Sequence, residues 1–320
     1  MQDSVELCIH TVQYVGFTTA QITNSILLYL IFTATTKLLG SFRHVMAVFA
    51  AYSLVYTWIE ILTQPIVQTY GSMVILMVDS PIKHETWIGN DVACLFCASF
   101  ALIISLLAAQ FYYKFLAICK PTLLSNLKGF MLTLIFIPCL ICFFAWFGLA
   151  EFGISVMLGN YDIDLRNTTF MGPLYFTIGP DGERQWKFPD IISYLGCSFI
   201  SGICFITITI CALKMRTKLN NSRSSMSAKT RSLNRQLFRT LLIQTIFPAV
   251  LMYIPVSKVM TVPFFEIGIG KFSNFGGVLV AIYPAIEPCI AILCIKDFRM
   301  TILCKSRSSR MLVKSTSSRN

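Results

Sequence analysis

Seven stretches of largely apolar residues, joined by polar connections, leave this chain few folds to choose from. They fall near 12–34, 45–70, 91–118, 129–150, 190–213, 237–256 and 272–295. Each holds about 20 such residues, which as a helix cross the ~30 Å hydrocarbon core of a bilayer. Lys and Arg are divided unevenly between the connections. The loops after spans one, three and five, with the C-terminal tail, take twenty of the 26 cations. Loops rich in Lys and Arg stay in the cytoplasm, so the pattern predicts an N-terminus outside and a C-terminus inside. The acids mirror this division. Of the 15, twelve fall on the outer side, Glu60 and Glu287 fall within spans, and Asp297 falls inside.

Composition argues against a soluble domain. The chain is 55% apolar and 13% charged, whereas soluble domains average about 45–50% and 25%. The reading is an all-α membrane protein: an outer N-terminus over 1–11, a seven-helix bundle over 12–295, and an inner tail over 296–320. The net charge of +11 lies beside helix ends, where anionic lipid rather than nucleic acid is the expected partner. The acids Asp3 and Glu6, with no basic start, predict an uncleaved first helix rather than a signal peptide. His10, His44 and His84 are scattered, and no P-loop, nucleophile elbow or HExxH motif is present. No enzyme activity, metal or cofactor is expected. Most of the 12 cysteines lie inside spans as packing residues. The long outer loop 152–189 has no cysteine to pair with Cys94 at the top of span three.

Several residues break the apolar pattern. Glu60 in span two has to face the bundle, be protonated or find a partner. Pro65 predicts a kink in the outer part of the same helix. The apolar segment 72–78 is too short to span and is expected against the bundle mouth. Asn167-Thr168-Thr169 is a glycosylation sequon on the outer side, and Asn220-Asn221-Ser222 is a second one on the inner side. The third inner loop and the tail interleave basic residues with serines. They read as solvated topogenic charge or as a docking surface tuned by phosphorylation. Phe298, Ile302 and Leu303 share one face of a short amphipathic helix expected on the inner leaflet. Cys304 beside it offers a palmitoylation site, with a plain reduced thiol as the alternative.

Seven spans in this orientation are the layout of a G-protein-coupled receptor. The chain also resembles the Str family of nematode serpentine chemoreceptors. The likeness runs through Phe42-Arg43-His44, Ile59-Glu60 and Gln64-Pro65, then Ala109-Gln110-Phe111-Tyr112-Tyr113-Lys114-Phe115. It continues in Gln244-Thr245-Ile246-Phe247-Pro248, Tyr283-Pro284-Ala285-Ile286-Glu287-Pro288 and Asp297-Phe298-Arg299, in family order. The resemblance implies a sensory receptor in the plasma membrane, typically of chemosensory neurons and their cilia. It implies a small odorant-like ligand and a heterotrimeric G protein as partners. Oligomeric state is not implied. The family usually ends span three with Tyr-Arg-Tyr. Here the triplet is Tyr113-Lys114-Phe115, where lysine keeps the charge but lacks the guanidinium fork. A further departure is Glu287, where the family commonly carries Asp.

On that reading Tyr113, Lys114 and Phe115 are the G-protein-coupling candidates. The bland alternative for Lys114 is a snorkelling anchor. Glu60, Pro248, Tyr283, Pro284, Glu287 and Pro288 are candidates for an activation switch. Pro248 and Pro255 bend span six, Pro288 makes a hinge in span seven, and Gln244 is an amide suited to bonding between helices. Glu287 either binds a cation, shares a proton with Glu60 or bonds to backbone. Cys97, Phe100, Tyr194, Phe199, Met252, Tyr253, Phe272 and Phe275 are the pocket candidates. Being apolar, aromatic and soft, they suit a small, uncharged, lipophilic molecule. The competing readings are a ligand-gated odorant channel of inverted topology, a transporter and a non-signalling seven-pass protein. The cation count opposes the channel, and the lack of an internal repeat opposes the transporter.

Overall fold

The computed structural model describes residues 2–33, 41–126, 129–160, 169–221, 228–267 and 273–302. Among them, seven helices are long and apolar enough to cross a membrane: Leu7–Thr33, Phe42–Thr63, Ile88–Cys119, Met131–Phe152, Phe188–Asn221, Thr230–Phe265 and Asn274–Cys294. Helices α1 (Gln2–Thr33), α2 (Phe42–Thr63) and α3 (Thr86–Cys119) carry the first three, and α4 (Pro121–Asn126) follows as a short turn of helix. Helix α5 (Ile137–Asn160), entered through a tighter 3₁₀ stretch, carries the fourth and α6 (Phe188–Asn221) the fifth. The sixth is composite: α7 (Ala228–Pro248), a π-helical turn (Ala249–Tyr253) and α8 (Ile254–Thr261). Helix α9 (Asn274–Cys294) is the seventh, and α10 (Lys296–Ile302) follows it.

Helix α3 stands at the centre and packs on α2, α5 and α6. Every residue from 98 to 111 is buried, as expected for a helix apolar on all sides. Helices α5 and α6 instead turn Leu140, Ile141, Phe144, Phe199, Ile206 and Ile210 outward. Such faces are stable only against another apolar medium, here hydrocarbon. Helices α1 and α9 pack along each other. Gly16 permits their approach, because a Cβ there would lie 2.6 Å from the Ala281 carbonyl oxygen.

One end of the bundle carries strands, and here the structure corrects the sequence reading. Span two ends at Thr63, not near 70, and Pro65 does not kink it. Gln64 takes a left-handed conformation (φ 43°), its N–H bonding to the Glu60 carbonyl at 2.7 Å. A residue before proline is disfavoured in the helical region, so the helix stops there. Pro65 then opens β1 (Pro65–Tyr70), which pairs antiparallel with β2 (Met73–Val78) through a two-residue turn. Gly71 supplies the positive φ (54°) that such a turn requires. The apolar segment 72–78 is thus a strand. Strand β3 (Phe170–Met171) adds to its other side, and β4 (Phe176–Ile178) with β5 (Arg184–Trp186) form a second hairpin. The free edge of β1 is tied to α9, because Val67 N–H donates to Asn274 Oδ1 at 3.0 Å.

At the opposite end α10 folds back with Phe298 fully buried, while Ile302 is half exposed. The expected apolar face is therefore split between bundle and surface. Leu303 lies outside the described residues.

A bulky residue at Gly16 has to separate α1 from α9. Gly16→Leu is expected to lower the yield of folded protein several-fold in detergent size-exclusion profiles. Gly148→Leu is the control and should match wild type, since nothing lies within 4 Å of a Cβ at that site.

Candidate functional site

A cavity of about 420 Å³ opens beneath the strands, within the usual size range of small-molecule pockets. Its walls come from α3 (Phe96, Cys97, Phe100), α5 (Trp146, Leu149), α6 (Tyr194, Cys197), α8 (Val256, Met260) and α9 (Gly276, Val280), with Val67, Val74 and Leu76 of the sheet above. Most of this lining is apolar. Strand alternation explains the sheet's share: Val74 and Leu76 are two residues apart, so both point to the same face.

Aromatic rings hold the roof and floor. Above, Tyr175 is fully buried, stacks on Phe264 at 3.8 Å and meets Tyr194 edge-on at 5.8 Å. Its hydroxyl donates to the Met260 carbonyl at 2.7 Å, and burial holds the phenol well above its ordinary pKa. Below, Tyr253 lies 4.5 Å from the Phe100 ring and 5.1 Å from Phe205, and its hydroxyl donates to the Phe100 carbonyl at 3.1 Å. Tyr253 belongs to the π-helical turn. The turn has a cause in sequence: Pro248 and Pro255 each lack an N–H, so the ordinary ladder cannot run through them. The wider turn is closed by Ile254 N–H bonding to the Ala249 carbonyl. Such turns recur at functional sites.

Of the eight pocket candidates, Cys97, Phe100, Tyr194 and Tyr253 line this cavity. Met252 is fully buried but is not part of the wall. Phe199 and Phe275 are corrections: they are 69% and 65% exposed and turn outward, where lipid accepts an aromatic ring as readily as a pocket does. Phe272 lies outside the described residues.

Deeper in the bundle, four switch candidates meet on α9. Gln244 Nε2 donates to Glu287 Oε1, linking α7 to α9, and both side chains are buried. Glu287 Oε2 and the Tyr283 hydroxyl have no hydrogen-bond partner among the described residues. Pro288 deprives the Pro284 carbonyl of its helical donor. Asn24 of α1 replaces it, its amide donating to Pro284 O at 3.0 Å and to Ala20 O at 2.9 Å. Asn24 is not singled out by the sequence reading, although a lone amide in an apolar span is the signal that marks it. Glu60 is buried at the end of α2, near Tyr56 rather than bonded to Glu287.

At the basic end, Tyr113 is buried and its ring stacks on Phe42 at 5.5 Å. Lys114 is also buried, with Nζ 3.8 Å from the centre of the Phe42 ring. The ring face offers a cation partial compensation for lost water. Phe115 is half-buried and lies beneath Lys214 Nζ at 5.8 Å. Gln236 of α7 donates to the Cys294 carbonyl at 2.7 Å, tying α7 to the end of α9. The sequence does not announce Phe42 as the partner of Lys114, since its N-terminal place on α2 says nothing of α3. Asn167 and Cys304 lie outside the described residues. The described cysteines, Cys94 and Cys8 included, are free thiols.

These features define a seven-helix membrane protein with a cavity of about 420 Å³ at one end. The family described as serpentine type 7TM GPCR chemoreceptor Str matches residues 9–303, and the chain belongs to it. Serpentine receptor class r-10 of Caenorhabditis briggsae is 28% identical over 92% of this chain and 89% of its own length. The protein of the same name from Caenorhabditis elegans is 28% identical over 98% and 96%. G-protein coupled receptor str-33 of Caenorhabditis elegans is 24% identical over 91% and 89%. Membership makes this chain a chemosensory receptor of the G-protein-coupled type, in a family of receptors rather than enzymes.

The Gln244–Glu287 bond carries a stability expectation. Gln244→Leu leaves a buried carboxyl without its donor, which costs about 1–3 kcal/mol. The thermal midpoint in detergent should fall accordingly. Glu287→Gln keeps an acceptor for Gln244 and should cost clearly less.

Proposed function

We propose that the protein binds a small external chemical in the cavity beneath the strands and activates a heterotrimeric G protein at the basic end. The observation that carries this reading is the placement of Tyr253. It is at once the floor of the cavity and part of the π-helical turn between Pro248 and Pro255. A molecule that displaces this ring displaces the point at which the sixth span is least regular. Straightening or twisting there moves α7, which is held to α9 by Gln236 and Gln244. Breaking or re-forming those two bonds is the switch, with Glu287 and the Pro284–Pro288 hinge as its fixed partner. Glu60 holds a second buried carboxyl in the last turn of α2, beside Tyr56.

In this reading the strand end faces outside and the basic end faces the cytoplasm, in the plasma membrane of a sensory cell and its cilium. Asn167 then carries glycan, and Cys304 is the lipidation candidate beside α10. Lys114 waits under the Phe42 ring in the resting state. When α7 moves away, it turns to the carbonyl groups of the Gα C-terminus. Tyr113 and Phe115 shape the same opening.

Two measurements test this. In glycosylation mapping, Asn167→Gln alone should abolish an endoglycosidase shift, while Asn220→Gln leaves it. A shift that depends on Asn220 inverts the molecule and favours a channel. With purified Gα in nanodiscs, Lys114→Ala should slow receptor-stimulated nucleotide exchange about tenfold, the effect of losing one charge-assisted contact. Surface level should be unchanged. Equal exchange in the variant and wild type contradicts the coupling role.

A further inference from the structure

The cavity is closed toward the strands and open toward one side. Val74, Leu76 and Met171 above it are buried, and Tyr175 is stacked on Phe264. Among the described residues that line it, only Ser198 of α6 and Ser257 of α8 are exposed. These two helices are joined above by Tyr194 and Thr261, whose hydroxyls lie 3.2 Å apart. Below, the rings of Phe205 and Tyr253 meet edge-on at 5.1 Å. Between those two contacts α6 lends Ser198, Ser201 and Gly202 to the cavity wall, and α8 lends Ser257. Small residues leave a gap there, and a Cβ at Gly202 would meet nothing within 4 Å. Tyr253 and Thr261 stand eight residues apart, so the gap runs about 12 Å along the helix.

A groove of about 590 Å³ lies against the same gap. Ala249, Ile254, Lys258 and Phe265 line it, and it shares Phe205, Tyr253 and Ser257 with the cavity. Three side chains are therefore a common wall between the two spaces. Ile254 and Phe265 are exposed, and both helices belong to segments long enough to cross a membrane. The groove thus faces hydrocarbon rather than water. The bland explanation is a seam between packed helices that a lipid chain fills. A seam accounts for the groove. It does not account for a groove and a cavity with a common wall. Nor does it account for the exposed Ser198 on α6, whose outer face otherwise carries Leu195, Phe199, Ile203 and Ile206.

We propose that this gap is the ligand's entrance, and that the groove is a first binding site for an uncharged lipophile dissolved in the bilayer. The molecule concentrates in hydrocarbon, settles in the groove, and passes Ser257 and Phe205 into the cavity. This rests on the cavity being the ligand site, and adds the route to it and the solvent from which the ligand comes. A charged molecule is rejected before it reaches the cavity, because an ion enters hydrocarbon at high cost. Selectivity therefore begins in the lipid, ahead of any contact with Phe100 or Trp146. Passage also presses on Tyr253, the ring assigned above to the switch.

The experiment uses the full-length protein in nanodiscs with 1-bromobutane and 1-bromohexane, whose bromine quenches tryptophan on contact. Occupancy is read as the quenching that Trp146→Phe removes, since Trp146 lines the cavity. Association rates, per unit concentration in water, should rise about fifteenfold from the shorter probe to the longer, the partitioning gain of two CH₂ groups. Ser257→Phe should slow both association and dissociation of 1-bromohexane about tenfold, the effect of one overpacked side chain in the passage. A change that only spoiled the site would speed dissociation instead. Equal association rates for the two probes, with Trp146 quenched by both, mean entry from water: the entrance falls and the cavity reading stands. Unchanged or faster dissociation in Ser257→Phe also overturns the entrance. No quenching specific to Trp146 overturns the cavity reading and the entrance with it. The comparison of probes needs wild type and Trp146→Phe alone, so it decides the matter even where Ser257→Phe does not fold.

Discussion

Hydrocarbon offers a peptide group nothing to bond to, and the chain depends throughout on meeting that constraint. The prolines in or beside the spans test it. Pro65 is kept out of helix altogether, placed at the head of a strand where no N–H is needed. Pro248 and Pro255 bracket a π-helical turn that re-closes the ladder through Ile254. The carbonyl that Pro288 leaves free at Pro284 is taken up by Asn24 from another helix. Each solution involves different chemistry, and each produces a local irregularity. The irregular places are the sheet, the sixth span and the seventh, and the cavity lies between them.

That coincidence has a physical basis. A regular apolar helix packed on its neighbours has a single low-energy arrangement. A helix interrupted by a π turn has bonds that can be exchanged at small cost, because the ladder is already broken. Tyr253 makes that interruption part of the cavity wall, and Gln244 makes it part of the bond to α9. A ligand acts on an equilibrium only through different contacts in its two states. On the proposed function, ring contacts at Tyr253 are of that kind, whereas contacts with the α3 wall supply affinity alone. Lys114 at the far end is held by a ring rather than by a carboxylate, so releasing it breaks no ion pair among the described residues.

The seven helices were legible because length and apolarity together leave nothing else for such segments to be. The strands were less so. Pro65-Ile66-Val67-Gln68-Thr69-Tyr70 continues the uncharged run of the helix before it, and only the proline and the β-branched residues argue for a strand. The cavity wall was half legible for a deeper reason. In a soluble helix the apolar stripe marks the core, but in a membrane both core and lipid are apolar. Phe100 and Phe199 therefore look alike in sequence, though one floors the cavity and the other faces outward. Polar residues carry the missing information, since lipid excludes them. Gln244, Glu287 and Asn24 all turned inward. Asp190 of the cavity wall is harder to place from sequence, because it stands where loop becomes helix and reads as an ordinary outer-loop acid. The match to the Str family agrees with the resemblance seen in the helix-end motifs.

The central claim is that the sixth span moves as the cavity's floor moves. The direct measurement is the distance between spin labels placed through non-natural residues at Thr122 on α4 and Arg235 on α7, both exposed, with and without nucleotide-free Gα. The account predicts a second, longer distance population that grows with Gα, and that Tyr253→Phe, which frees the floor from Phe100, populates without it. A single unchanged distance while Gα exchange accelerates would contradict it.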